Sequence, residues 1–186
     1  AEPAKFTVPK KALLLIKNSI TSSAENMHIY YNENNAFFVA DNITLVCRLI
    51  DQKYPNYENV IPNDNPNKMS INKSEFVSAL KRMNIFANKV SHQVKLELTK
   101  DCLEISTEDL DYANEAKETL RCIYEGDPLT IGFNAAFLLE VIQNVEAGNI
   151  TMEMSAPNRA AIVFPEEQIV NENILMLVMP IMLNNN

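Results

Sequence analysis

The densest run of side chains that could do acid–base or metal chemistry is Asp109, Asp111 and Glu115. A divalent-cation site needs hard oxygen ligands held on fixed elements, and this run falls in a predicted loop with neither a histidine nor a basic partner. A metal-dependent nuclease is therefore a poor expectation, and no metal or other cofactor is expected. His28 and His92 stand alone in the sequence, without the ligand-spaced companions of a zinc site or a histidine triad. Cys47, Cys102 and Cys122 are odd in number and far apart. Their apolar-alternating surroundings suggest reduced, near-core thiols and a cytoplasmic setting. The three glycines, Gly126, Gly132 and Gly148, are unpaired, which excludes a phosphate-cradling loop of P-loop or Rossmann type. What remains is binding by surface charge and apolar contact; catalysis is not expected.

The elements that must position such surfaces show an internal repeat of roughly 60 residues. Val8, Ile71 and Ile131 hold equivalent places in short alternating segments, each running into a helical pattern. Helices are predicted over 12–20, 74–90 and 135–145. Strands with period-two alternation follow each one: 27–31, 36–40 and 43–50; then 94–99, 102–107 and 118–124; then 150–154, 160–165 and 174–180. The chain of 186 residues, 47% hydrophobic and 22% charged, thus reads as an α+β protein of three strand–helix–strand–strand–strand units. An odd number is awkward, because one such unit leaves a helix and a sheet face uncovered. Units two and three, joined by Gly126-Asp127-Pro128, read as one domain. Unit one reads as half of another, with 63–67 (Asn-Asp-Asn-Pro-Asn) as the linker and a missing half expected upstream of residue 1. No apolar run approaches a membrane span of roughly 20 residues, and the N-terminus carries no signal-peptide pattern.

Net charge is −8, a weak starting point for nucleic-acid binding. Its distribution matters more. Segments 1–20 and 67–92 carry +7, and the rest of the chain carries −15, so the first two helices offer a basic surface against acidic strands. On the second helix Phe76, Ala79, Leu80, Met83, Phe86, Ala87 and Val90 form the expected core stripe. Lys81, Arg82, Ile85, Asn88 and Lys89 fall opposite, and Ile85 is out of place there.

Three further segments carry a resemblance. Tyr54-Pro55-Asn56-Tyr57-Glu58-Asn59-Val60-Ile61-Pro62, Ile131-Gly132-Phe133-Asn134 and Val178-Met179-Pro180-Ile181-Met182-Leu183 resemble, in order and spacing, segments of the bacterial sliding clamp, the beta subunit of DNA polymerase III. With the repeat, the resemblance covers nearly the whole chain. It implies a DNA-clamp fold, with antiparallel sheets outside and helices lining a channel. It also implies that residues 1–66 are the second half of the middle domain and 67–186 the C-terminal domain, with the N-terminal domain and the first half of the middle one absent.

By the same resemblance the protein is a non-catalytic processivity factor of DNA replication. Two subunits close head to tail around double-stranded DNA, and sequence-independent attraction comes from lysine and arginine. Lys10, Lys11, Lys17, Lys81, Arg82 and Lys89 are the channel-facing candidates. A hydrophobic pocket binding a short peptide of the polymerase, clamp loader and repair proteins maps onto Pro55, Asn59, Val60, Asn134, Phe137, Arg159, Leu177, Val178, Met179, Pro180, Ile181, Met182 and Leu183. Its methionines suit varied ligands, and Asn134 is expected to orient the peptide backbone. Ile85 and Phe86, with Asp109, Asp111, Glu115 and Glu118, match the subunit interface. Three departures stand out: Asn59 replaces an arginine common in the family, Ser91 an aromatic, and Met182 a basic residue. The fragment is expected to be monomeric, or to associate weakly in some non-ring way, with an incomplete pocket. The rival reading is a protein-binding adaptor on the same repeat without a DNA role.

Overall fold

The computed structural model describes residues 4–19, 26–40 and 42–183. They fall into two compact units, divided at Asn56/Tyr57. The division lies upstream of the expected linker at 63–67 for a physical reason. The Asn65 side chain donates to the carbonyls of Glu153 and Ala160, both at 3.1 Å, and so ties that polar stretch to the second unit.

The first unit has α1 (Lys10–Ser19) and a sheet of β1 (His28–Tyr31), β2 (Asn35–Ala40) and β3 (Ile43–Arg48), all antiparallel. Residues 6–11, expected as an opening strand, make only one bridge, Thr7 to Ile50. The backbone N–H groups of Ala12 and Leu13 bond to the Pro9 carbonyl, and α1 begins two residues earlier than predicted. Ala12 and Ile16 bury one face of the helix against Ala36 and Phe38.

The second unit interleaves two repeats. One is β4 (Asn67–Asn72), α2 (Lys73–Phe86), β5 (Gln93–Thr99), β6 (Cys102–Asp109), β7 (Asn114–Arg121) and β8 (Ile123–Glu125). The other is β9 (Leu129–Asn134), α3 (Ala135–Gln143), β10 (Asn149–Met154), β11 (Ala161–Pro165) and β12 (Met176–Val178). Their sheets run β12-β11-β10-β4-β8 and β7-β6-β5-β9. Each repeat thus lends its opening strand to the other's sheet: β4 pairs with β10, and β9 with β5. The closing segment of each repeat then returns to its own opening strand. Thr7 with Ile50, Ser70 with Ile123, and Gly132 with Ile181 make the same pairing three times.

Both helices of the second unit follow a strand that ends in asparagine. Asn72 Oδ1 accepts the Glu75 N–H at 3.1 Å, an N-cap that supplies a partner the first helical turn lacks. Phe76, Ala79, Leu80 and Met83 of α2 and Leu138 and Ile142 of α3 are buried in one core with Leu96, Leu98 and Ile105 of the sheet. Full burial of each large side chain contributes about 1.5–3 kcal/mol. Lys73, counted above in the basic surface, donates to the carbonyls of Gln143 and Val145 at the end of α3, where a cation also meets the negative pole of the helix. Glu166 accepts from Ser70 and Asn149, and these bonds hold its carboxyl below the ordinary value.

Two predicted features differ. Helix α2 stops at Phe86, so Phe86 and Val90 are exposed rather than core. Asn88 makes the stop: its Oδ1 accepts the N–H groups of Val90 and Ser91 and folds the chain into a side-chain-closed turn. Residues 108–117, read as a loop, belong to a hairpin in which β6 runs to Asp109 and β7 starts at Asn114, with Ala113 at φ 50. The three cysteines are free, with Cys122 buried and its thiol pushed up to about 11 chiefly by desolvation.

Candidate functional site

The third repeat builds the most developed surface feature. Strand β9 ends in Asn134, whose Oδ1 accepts the N–H groups of Ala136 (3.0 Å) and Phe137 (3.1 Å), while its Nδ2 donates to the Ser91 carbonyl at 2.9 Å. The side chain caps α3 and ties its start to the loop that carries Ser91. The cap fixes the first turn of α3, from which Phe137 projects 63% exposed.

The tail reaches the same place. After β12 it crosses from one sheet to the edge of the other, where the Ile181 N–H donates to the Gly132 carbonyl at 2.8 Å. Leu183 lies over Gly132: a Cβ added there would fall 2.7 Å from Leu183 Cδ2 and 2.8 Å from the Ile181 carbonyl. Gly132 is therefore a close-approach position that the motif reading left without a role. The available signal was an isolated glycine inside a strand, which marks close backbone approach. Met179 and Met182 flank this contact and are exposed at 57% and 70%.

Asn134, Phe137, Ile181 and Leu183, with Met179, Pro180 and Met182 on the connecting segment, are thus brought to one corner of the second unit. Val178 is not part of that surface. It is buried in the core, paired with Ala161 on β11. Leu177, paired with Ile162, is half-buried. Arg159 sits exposed in the turn before β11, its N–H on the Ala156 carbonyl at 3.0 Å. Asn59 and Val60 are exposed on the 3₁₀ turn Tyr57–Val60, and Pro55 is exposed in the first unit.

The basic candidates divide. Lys10, Lys11 and Lys17 are exposed on α1, and Lys81 on α2. Arg82 makes a bidentate pair with Glu118 on β7, at 2.5 and 3.0 Å, and this hydrogen bonding raises its guanidinium above the ordinary value. Lys89 donates to the Ile85 carbonyl at 2.8 Å, closing the end of α2.

The acidic candidates divide too. Asp109 is 2% exposed and accepts the Asp111 N–H at 3.1 Å and the Asn88 amide at 3.4 Å. A carboxylate so enclosed holds the β6–β7 turn. Asp111 and Glu115 are exposed, and Glu118 is engaged by Arg82. Ile85 and Phe86 stay exposed, joined by Leu110 and Tyr112 on the turn that Asn88 ties to the end of α2. The sequence pattern did not single out these last two, because it left their turn as a loop. No group of three or more metal-ligating side chains occurs among the described residues, and no described helix is long and apolar enough to cross a membrane.

Comparisons with known proteins bear on these surfaces. The family model described as DNA polymerase III beta subunit, C-terminal domain, matches residues 58–182, and that of the central domain matches residues 1–56. The beta sliding clamp of Vibrio cholerae is 25% identical over 96% of the chain, and that of Staphylococcus aureus 23% identical over 97%. The chain spans 48% of the length of each. A crystal structure of a DNA polymerase sliding clamp from Pseudomonas aeruginosa superimposes with a TM-score of 0.88 at 26% identity, over 95% of this chain and 47% of that one. A DNA polymerase III beta subunit from Thermotoga maritima gives a TM-score of 0.79 at 26% identity, over 84% of this chain and 42% of that one.

Proposed function

The chain belongs to the DNA polymerase III beta subunit family, and from that premise we propose that it is a portion of a sliding clamp: a non-catalytic processivity element that holds replication proteins on double-stranded DNA. The first unit then corresponds to the second half of the middle clamp domain and the second unit to the C-terminal domain. Two such subunits, complete with their first domains, would close the ring head to tail. The exposed apolar end of α2, Ile85 and Phe86 with Leu110 and Tyr112, suits one face of that closure.

The observation that carries the reading is the corner where the tail docks beside the capped start of α3. Phe137, Met179 and Met182 are large, apolar and more than half exposed there, on a backbone fixed by the Asn134 cap and the Gly132–Ile181 pairing. A rigid frame carrying adaptable side chains suits a short apolar peptide segment. The polymerase, clamp loader and repair proteins are the partners proposed to present it. Fluorescence anisotropy with a labelled peptide of the glutamine-leucine-phenylalanine type tests this directly. Met179→Ala is expected to weaken binding about tenfold, the cost of one exposed side chain's apolar contact. Unchanged affinity in that variant would count against the site.

DNA contact is assigned to α1, where three lysines are exposed. Charge reversal of Lys10 and Lys11 together is expected to weaken duplex binding and to reduce the magnitude of the salt slope by about 2, since each phosphate contact contributes about 0.9. A slope equal to that of the unaltered chain, measured by anisotropy over a salt series, would remove these lysines from the DNA-facing set.

A further inference from the structure

The two repeats of the second unit start their helices in the same way, with one difference. Asn149 pairs with Asn72, and Gln93 with Asn134, so Gly148 and His92 hold equivalent places, each just before a strand. The Gly148 carbonyl accepts the Lys73 N–H at 2.9 Å, and the His92 carbonyl accepts the Ala135 N–H at 2.8 Å. Each bond supplies a partner to the first N–H of a helix. Gly148 does this without a side chain. The backbone contact therefore does not call for an imidazole at the other copy.

That imidazole is engaged. His92 Nδ1–H donates at 2.9 Å to Asn84 Oδ1, in the last turn of α2. The residue has φ 49, a left-handed conformation uncommon outside glycine, and its backbone N–H donates to the Asn88 carbonyl at 2.9 Å. Its neighbour Ser91 accepts from Asn134 Nδ2. Residues 91 and 92 thus hold the start of α3 at two points, one directly and one through the Asn134 cap. The third residue of α2 is Glu75, and the third of α3 is Phe137. The repeat with the added ring contact is the one whose first turn carries the exposed aromatic of the peptide corner.

We propose that His92 is a positioning residue for that corner, a role that rests on the peptide reading above. Its ring, anchored on Asn84, fixes the left-handed turn at residue 92. The turn aims the carbonyls of Ser91 and His92 at the start of α3, and so sets where Phe137 stands relative to Met179 and Met182. His92 acts through the backbone and the cap, with no contact of its own to the peptide. The arrangement carries a signature. Because Asn84 offers an oxygen, the neutral ring holds its proton on Nδ1, the tautomer that free histidine favours less.

Nitrogen–proton NMR of the labelled chain at alkaline pH reads the tautomer, with exposed His28 as the reference. The Nδ1–H form is expected at His92. Asn84→Ala removes the acceptor but favours the helix, so the urea midpoint should not fall. The ring should nevertheless revert to Nε2–H. The Ala135 amide should exchange about tenfold faster. Affinity for the glutamine-leucine-phenylalanine peptide should fall about fivefold, the worth of one hydrogen bond. His92→Gly should match that loss, and combining it with Asn84→Ala should add nothing. His92→Asn should keep wild-type affinity, because its amide nitrogen takes the place of Nδ1 and asparagine tolerates the turn. An Nε2–H ring in the unaltered chain overturns the proposal, as does a loss of affinity in His92→Asn equal to that in His92→Gly. Peptide binding that ignores Asn84→Ala removes the positioning role and leaves the peptide reading standing. No binding by the unaltered chain removes both.

Discussion

Replacing Gly132 with valine should detach the tail from β9 and cost about 2–4 kcal/mol. The figure combines overpacking of about 1–3 kcal/mol with loss of one backbone hydrogen bond worth about 1 kcal/mol. The cause is specific. Any Cβ at this position meets the Ile181 carbonyl at 2.8 Å as well as Leu183, and a backbone oxygen cannot swing aside as a side-chain tip can. The urea midpoint should fall at an unchanged slope, and the Ile181 amide should lose its protection from exchange. Peptide affinity should fall with it, because Met179 and Met182 are carried on the released segment. Retention of Ile181 protection in the valine variant would show that the tail is held by something other than this contact.

A larger loss is expected from Phe76→Ala, at about 3–5 kcal/mol, the range for deleting an aromatic side chain from a closed core. Phe76 is fully buried between α2, α3 and the sheets. The matching change on α1, Leu13→Ala, should cost less than about 1 kcal/mol in dilute protein, because half of that side chain already meets water. Amide exchange read separately on β5 and β2 would report the two effects. Equal losses at the two positions would contradict their unequal burial.

Much of the repeat architecture is legible in the residues themselves. Val8 and Ile71 mark two opening segments at equivalent places, while in the third the equivalent residue is Phe133 and not the expected Ile131; period-two alternation finds the strands, because each sheet has one buried face. The misread places are those where a side chain, rather than glycine or proline, turns the chain. Asn88 ends α2 through its own side-chain oxygen, and a helical pattern runs on through Val90 with nothing to signal the stop. Ala113 adopts a positive φ in the β6–β7 hairpin, a conformation that the sequence would advertise only through a glycine or asparagine. The candidate site was legible as a set of segments and less so as a set of roles. Asn134 reads equally as a ligand or as a cap, and only the positions of the Ala136 and Phe137 N–H groups decide. Val178 and Met179 are adjacent and similar in character. Strand alternation sends one into the core and the other outward, and a one-residue change of register would exchange them.

The exchange of opening strands also sets an order of events during synthesis. Strand β4 waits for β10, and β5 for β9, so the second repeat emerges from the ribosome with neither of its sheets able to close. The segment that seals the β9 edge, Ile181 to Leu183, is translated after every strand it closes against. Until then α2 carries Phe76 and Leu80 uncovered in a nascent chain, the condition in which sticky surface invites capture by chaperones or by a neighbouring chain. Slow decoding within β9 and α3 would lengthen that exposure, and slow decoding within α1 would not.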